Sequence, residues 1–272
     1  MNDTQLEVLT GSLLGDGWLQ GHQRPSYYNW KFAKKQKSSR KEYLDWHSSV
    51  FGELSLPIAH ATQELTFEYY RAKNQKFISE SCLFITRADK EFTELGRKWY
   101  KNDNGVFSLN KHNRKIKILP EDIALTPLSM AVWFCDDGTN STKHRTAVFC
   151  TNNFTMSECN LLKDKILQTF SIKTTVHTSR SQPMIRIAAA DYVNFIDLIK
   201  PYVIWPCFQY KITSRQPKFG EQHYRATISD TDIDMMKNLH KKGAKQIDLA
   251  KQFGVSRACI CNILNGKRRA KI

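Results

Sequence analysis

Two short stretches end in an acid and a glycine. Leu9–Gly17 reads LTGSLLGDG and Met130–Gly138 reads MAVWFCDDG, and their last acids, Asp16 and Asp137, lie 121 positions apart. Each acid closes an apolar helical pattern, so each carboxylate stands at the negative end of a helix dipole. An anion is disfavoured there unless a cation sits nearby. Gly11 and Gly15 let a second helix backbone approach closely. In the second stretch Ala131 and Cys135 are small and four apart, one position out of register with the first. If the two helices pack about a pseudo-two-fold axis, Asp16 and Asp137 meet at one end. Two carboxylates suit a hard divalent cation held by oxygen, Mg²⁺ or Mn²⁺, with the backbone carbonyls of Gly15 and Asp136 completing the set. Asp136 occupies the position of Gly15, so its carbonyl rather than its carboxylate is the expected ligand. Such an ion polarises a phosphate oxygen, lowers the pKa of a bound water and steadies a leaving oxygen. Lys117 and Lys211 are expected to flank it and stabilise developing charge. The set suits a phosphodiesterase that acts on both strands of a duplex. The plainer reading of either stretch is a buried helix stopped by a left-handed glycine.

Several function classes fall away on composition. The 272 residues carry 41 Lys+Arg against 26 Asp+Glu, a net charge of +15, which favours a polyanion, nucleic acid ahead of membrane lipid. No apolar run is long enough to span a bilayer. The N-terminus carries Asp3 and Glu7 and resembles neither a secretory signal nor a transit peptide, which points to the cytoplasm or an organelle matrix. Seven cysteines, an odd number without a CxxC pair, read as thiols in a reducing compartment. The eight histidines show no HxH or HExxH spacing.

The elements that must carry the acids come as a repeat. Thr126 and Pro127 start the second helix as N-cap and first helical residue. Helix Gln5–Leu14 is followed by a strand near Tyr27–Lys34, a helix near Arg40–Phe51, strands near Leu65–Arg71 and Leu83–Arg87, and a helix from Ala88-Asp89 to Tyr100. After Gly138 come a strand near Arg145–Cys150, a helix near Met156–Phe170, strands near Lys173–Thr178 and Met184–Ile187, and a helix from Ala190-Asp191 to Lys200. Each half shows three strand segments and is read as αββαββα, a mixed, strongly twisted four-stranded sheet with helices on one face. The expected class is α+β: two pseudo-symmetric halves, 1–100 and 121–213, joined by a polar linker at 101–120. A second linker, 214–226, leads to a small all-α unit, 227–272.

LTGSLLGDG, MAVWFCDDG and the segment LIKPYVIWPCFQYKI (Leu198–Ile212) resemble the LAGLIDADG homing endonucleases of the single-chain, double-motif type, from about Leu6 to Ile212. The resemblance implies a monomer whose two sheets form a saddle over the DNA major groove, cutting both strands of a long asymmetric target. It makes the last acid of each motif, Asp16 and Asp137, the metal ligand. It puts the family's lysines on Lys117 and Lys211. Departures are Met130, Val132 and Asp136, none of which removes a ligand.

On that fold the sheets would read DNA through Tyr28, Trp30, Lys31, Lys34, Lys35, Gln36, Lys37, Tyr69, Arg71, Lys73, Arg145, Asn152, Asn153, Lys173, His177, Arg180 and Arg186. These side chains pair with base edges or phosphates. Gln36 and Asn152 follow the first strand of each half, where the family places polar residues near the cut. The C-terminal stretch resembles a helix-turn-helix, with Ile247, Ala250, Gly254, Val255, Ile260 and Ile263 at its apolar and glycine positions. Ser256 would cap the second helix and Arg257 would lead it toward bases. The reading is a metal-dependent, site-specific double-strand endonuclease. Its rivals are an RNA-binding intron maturase, which would bring intron RNA as a partner, and a non-catalytic DNA-binding regulator of the same build.

Overall fold

The computed structural model describes residues 1–21, 29–65, 77–103, 106–141, 146–213 and 228–266. The chain divides into two compact units, Met1–Ser214 and Arg215–Ile272. Tyr28, Tyr69, Arg71, Lys73 and Arg145 lie outside the described residues, as does the whole linker expected at 214–226.

The first unit repeats one order of elements twice. The first half runs α1 (Asp3–Leu14), β1 (Gly17–Gln20), β2 (Lys31–Lys37), α2 (Lys41–Phe51), β3 (Ala59–Leu65), β4 (Phe77–Ile85) and α3 (Lys90–Trp99). A two-stranded ribbon, β5 (Asn102–Asp103) and β6 (Val106–Phe107), occupies the segment expected to be a plain linker. The second half runs α4 (Pro127–Asp137), β7 (Gly138–Ser141), β8 (Thr146–Cys150), α5 (Met156–Phe170), β9 (Thr174–Ser179), β10 (Gln182–Ile187) and α6 (Tyr192–Ile199). Capping fixes the helix starts. The side chains of Asn2, Thr126 and Thr155 each accept from the backbone N–H three residues on, and the backbone N–H of each capping residue donates to the side chain of that later residue.

The sheets have the orders β1-β2-β4-β3 and β7-β8-β10-β9, and every pair is antiparallel. The expectation of mixed sheets is therefore wrong. Crossover through α2 returns β3 parallel to β2, but β4 inserts between them and runs against both. Of the later strands of the first half, β3 covers Ala59–Leu65, while the strand expected at Leu65–Arg71 lies outside the described residues beyond Leu65; β4 begins at Phe77, upstream of the expected Leu83.

One core fills the first unit. Val8, Leu9, Leu13, Phe32, Leu44 and Phe84 from the first half join Met130, Trp133, Phe134, Phe149, Ile185 and Phe195 from the second. Burying a side chain of this size contributes roughly 1.5–3 kcal/mol. The helices α1 and α4 run side by side at its centre. A Cβ on Gly11 would lie 2.4 Å from the Ser129 carbonyl oxygen and 2.8 Å from the Val132 Cβ; one on Gly15 would lie 2.5 Å from the Asp136 Cβ. The partners advance together along both helices, so the helices are parallel and their acid-bearing ends coincide. The glycines meet Ser129, Val132 and Asp136, not the small pair Ala131 and Cys135.

The second unit holds α7 (Asp230–Lys241), α8 (Gln246–Gln252) and α9 (Arg257–Leu264) around Ile233, Met236, Leu249, Ala250, Ile260 and Ile263. The α8–α9 turn contains Gly254 at φ +65°, and Ser256 caps α9 through the Cys259 N–H. Ile247, expected inside, is 52% exposed.

Candidate catalytic site between the two halves

The ends of α1 and α4 come together as their packing requires. The Asp16 backbone N–H donates to Asp136 Oδ2 at 3.3 Å, across the boundary between halves. Asp16 is exposed, and Gln36 Nε2 donates to its Oδ2 at 2.6 Å. Arg40 holds Gln36 in turn through its Oε1 at 3.1 Å, while the guanidinium lies 4.8 Å over the Phe208 ring of the other half. Asp137 is half-buried. Burial, then the negative charges of Asp16 and Asp136, push its carboxyl up to about 7, with Lys117 and Lys211 pulling it back.

The motif glycines earn their place by contact. Gly138 has φ −82° and ψ 147°, and Gly15 has φ −110°, so neither is left-handed as a helix stop would be. A Cβ on Gly138 would strike the Phe134 ring at 2.0 Å, and one on Gly17 would lie 2.8 Å from the Ser12 Cβ.

Lys117 and Lys211 sit where the helix dipoles need cations. Lys117 Nζ donates to the carbonyls of Leu13, Gly15 and Gly17 at 2.8, 3.1 and 2.8 Å. Lys211 Nζ donates to those of Phe134 and Cys135 at 2.9 and 2.6 Å. Each ammonium thus donates to carbonyls at or just past the negative end of an acid-bearing helix, where a cation is favoured. Burial lowers the pKa of both lysines, that of Lys117 to about 8, against the pull of the nearby aspartates.

Among the described residues no group of three or more His, Cys, Asp or Glu side chains is arranged to hold a metal ion. The donors that could hold a cation at this end are the carboxylates of Asp16 and Asp137 with main-chain oxygens of Gly15 and Asp136. The Gly15 carbonyl already accepts from Lys117 but keeps a second lone pair. Beside the burial that raises the Asp137 carboxyl most, Asp16 and Asp136 add negative charge that a divalent cation would offset.

The residues expected to read DNA divide by strand face. Along β2, Lys35 and Lys37 are exposed and Lys31 is half-buried on one face; Phe32, Lys34 and Gln36 point into the core side. Lys34 and Trp30 are corrections. Lys34 is 0% exposed and pairs with Asp136 at 2.6 Å; Trp30 is 1% exposed, beneath Lys115 Nζ at 4.8 Å from its ring. A one-residue step along a strand reverses the face, so an alternating basic segment cannot be wholly exposed. Gln36, 5% exposed, is turned to Asp16. In the second sheet His177 and Arg186 are exposed on the face shared with Thr175, and Arg180 sits in the tight turn between β9 and β10 at φ +49°. Lys173, Asn152 and Asn153 are exposed. Gly17 pairs with Lys34 and Gly138 with Phe149, so Thr151, not Asn152, takes the place of Gln36; its hydroxyl donates to the Pro183 carbonyl at 2.7 Å. Ser256 and Arg257 are exposed at the start of α9. Arg40 and Tyr43 were missed in the sequence. No helical spacing links Arg40 to Gln36, because Gln36 lies on β2 and Arg40 in the turn before α2; Tyr43 reads as one more aromatic of a buried helix face.

Comparison with known proteins gives the same architecture. The chain is 27% identical over 216 residues to the cytochrome b mRNA maturase bI2 of Debaryomyces hansenii, covering 78% of this chain and 74% of that one. It is 26% identical over 220 residues to the probable intron-encoded endonuclease 1 of Wickerhamomyces canadensis, covering 78% and 85%. The structure of the homing endonuclease I-WcaI bound to its DNA recognition sequence superposes with a TM-score of 0.62 at 24% identity, over 79% of this chain and 88% of that one, a likeness of fold. The sequence pattern of the LAGLIDADG DNA endonuclease family matches residues 6–195, both acid-ended helices included, and the chain belongs to that family.

Proposed function

We propose that the protein is a site-specific, divalent-metal-dependent endonuclease that cuts both strands of a DNA duplex. The observation that carries this is the meeting of α1 and α4 in parallel, which sets Asp16 and Asp137 at one end of the pair beside Lys117 and Lys211. Asp16 and Asp137 would hold the cation, Mg²⁺ or Mn²⁺, with main-chain oxygens of Gly15 and Asp136. When bound, the cation supplies Lewis-acid polarisation of the phosphate and a more acidic water. The chain's own groups do the rest. Gln36, braced by Arg40, orients the Asp16 carboxylate. Lys117 and Lys211 keep positive charge at the two helix ends, close to where negative charge would build up. Lys31, Lys35, Lys37, Lys173, His177, Arg180 and Arg186 present donors to a duplex on the sheet faces. The α8–α9 pair, with Arg257 leading α9, acts as a helix-turn-helix that adds DNA contacts outside the cleavage site. The protein acts as a monomer, since both acids belong to one chain.

The maturase relative brings a second reading, in which the same chain binds folded intron RNA. Incubation with a library of duplex targets and Mg²⁺ separates the readings. An endonuclease enriches one cleaved family of sites with staggered ends; a maturase or a regulator leaves the library uncut. Deletion of residues 222–272 should weaken DNA binding more than it slows cleavage at saturating protein. Unchanged binding would overturn the helix-turn-helix assignment.

A further inference from the structure

Asp136 and Lys34 form a buried ion pair that the two-carboxylate site does not use. Both side chains are 0% exposed, and the pair joins β2 of the first half to α4 of the second. The ammonium spends all three protons: on Asp136 Oδ2 at 2.6 Å, Ser12 Oγ at 3.0 Å and Tyr43 OH at 3.1 Å. Tyr43 donates to Asp136 Oδ1 at 3.0 Å. The other bond to the carboxylate comes from the Asp16 backbone N–H.

Pseudo-symmetry shows that the fold does not require this pair. Strand register puts Phe149 where Lys34 stands, and the motif puts Gly15 where Asp136 stands. The second half fills the matching space with stacked rings, Phe149 against Trp133 at 4.0 Å. A buried ion pair generally adds little stability over an apolar replacement of the same shape. Its carboxylate oxygens are already taken by Lys34, Tyr43 and the Asp16 N–H, so they are poorly placed to serve as a third metal ligand.

We propose that Asp136 is a positioning residue for Asp16: the Lys34–Asp136 pair holds the Asp16 main-chain N–H and so fixes where that carboxylate stands at the junction of the two halves. The inference rests on the endonuclease reading for its consequence in cleavage, but not for its geometry. The first half builds the socket, from Lys34, Ser12 and Tyr43, and the second half supplies the acid that fills it. The place of Asp16 is thereby tied to correct docking of the halves.

The test compares two double variants that both lack the charges. Asp136→Asn/Lys34→Met keeps an oxygen acceptor facing Asp16; Asp136→Leu/Lys34→Met has the same branched shape and no acceptor. Asp136→Ala/Lys34→Met repeats the second arm should the Leu variant fail to fold. Melting temperatures establish that the compared proteins are folded. Hydrogen exchange of the Asp16 amide, read on the protein without DNA, should stay slow in the Asn double and quicken on the order of tenfold or more where the acceptor is gone. Single-turnover cleavage at saturating protein should be slower by on the order of 10–100-fold in the acceptor-less double than in the Asn double, at equal DNA affinity. Equal amide exchange and equal cleavage in the two doubles would overturn the positioning role and leave a structural pair only. If the wild-type chain itself does not cut, the endonuclease reading fails, and amide exchange alone still decides whether Asp136 holds Asp16.

Discussion

The two half-sites share a backbone plan and differ in chemistry. Around Asp16 the first half builds a hydrogen-bonded chain, Arg40 to Gln36 to the carboxylate, and a second grip on its backbone through Asp136. Around Asp137, no described residue donates a hydrogen bond to the carboxylate. The position matching Gln36 is Thr151, turned to a neighbouring strand, and the position matching Lys34 is Phe149. Asp16 is thus held in place and exposed, while Asp137 is half-buried and proton-hungry, pushed up to about 7. A repeated fold conserves the meeting of the helices because that meeting is made by packing. It does not conserve the polar shell, which depends on single side chains.

The comparison can be broken most directly at the acids. Asp16→Asn and Asp137→Asn should each abolish double-strand cleavage and leave DNA binding largely intact, measured by strand-resolved cleavage and equilibrium binding. Wild-type cleavage by both would remove the site assignment. Next in size is Gly11→Ala, whose methyl would meet the Ser129 carbonyl oxygen. It should cost about 1–3 kcal/mol in denaturant unfolding by forcing α1 from α4, and an unchanged midpoint would refute the close packing. Lys117→Met and Lys211→Met test whether the halves share one device for the helix ends. Each removes an ammonium donor from the carbonyls at a helix end and should lower Tm by on the order of 2–10 °C. A drop in only one of them would show that the caps are unequal.

The smallest effect is a pH slope. The Asp137 carboxyl is raised on folding from 3.8 to about 7, so between those values the folded chain binds more protons than the unfolded one. Its contribution to stability is therefore greatest at acid pH and falls as pH rises through that window. Asp136, raised to about 6 by burial, adds in the same direction. In chelator, Asp137→Asn should flatten the decline of Tm between pH 5 and pH 7, and Mg²⁺ should restore Tm of the wild type most at the upper end. A decline identical in the variant would place the titrating group elsewhere.

Much of this was legible in the residues. The repeated order of elements, the helix caps at Thr126 and Ser256 and the paired acids all follow from local rules: turn-forming residues, periodicity and an acid–glycine ending at domain spacing. Strand faces were less legible. Lys31 through Lys37 reads as a uniform basic ribbon, yet the pleat sends Lys34 and Gln36 inward and leaves Lys35 and Lys37 outside. The start of β4 was missed because its residues carry weak alternation, and the strand order that makes the sheet antiparallel depends on pairs 44 to 52 positions apart, Lys37 with Ser81 to Ala33 with Ile85.

The sequence by itself determined that two acid-ended helices exist, that small residues allow them to touch, and that a strongly basic chain surrounds them. Those facts depend on composition and spacing along one chain. Tertiary structure decided which residues those glycines meet, that Lys117 and Lys211 cap the helix ends, and that Lys34 is spent inside on Asp136. A charge's role is set by what lies within a few ångströms in space, where desolvation and pairing act. Those neighbours, 102 positions apart for Lys34 and Asp136, are brought together only when both halves close on one core.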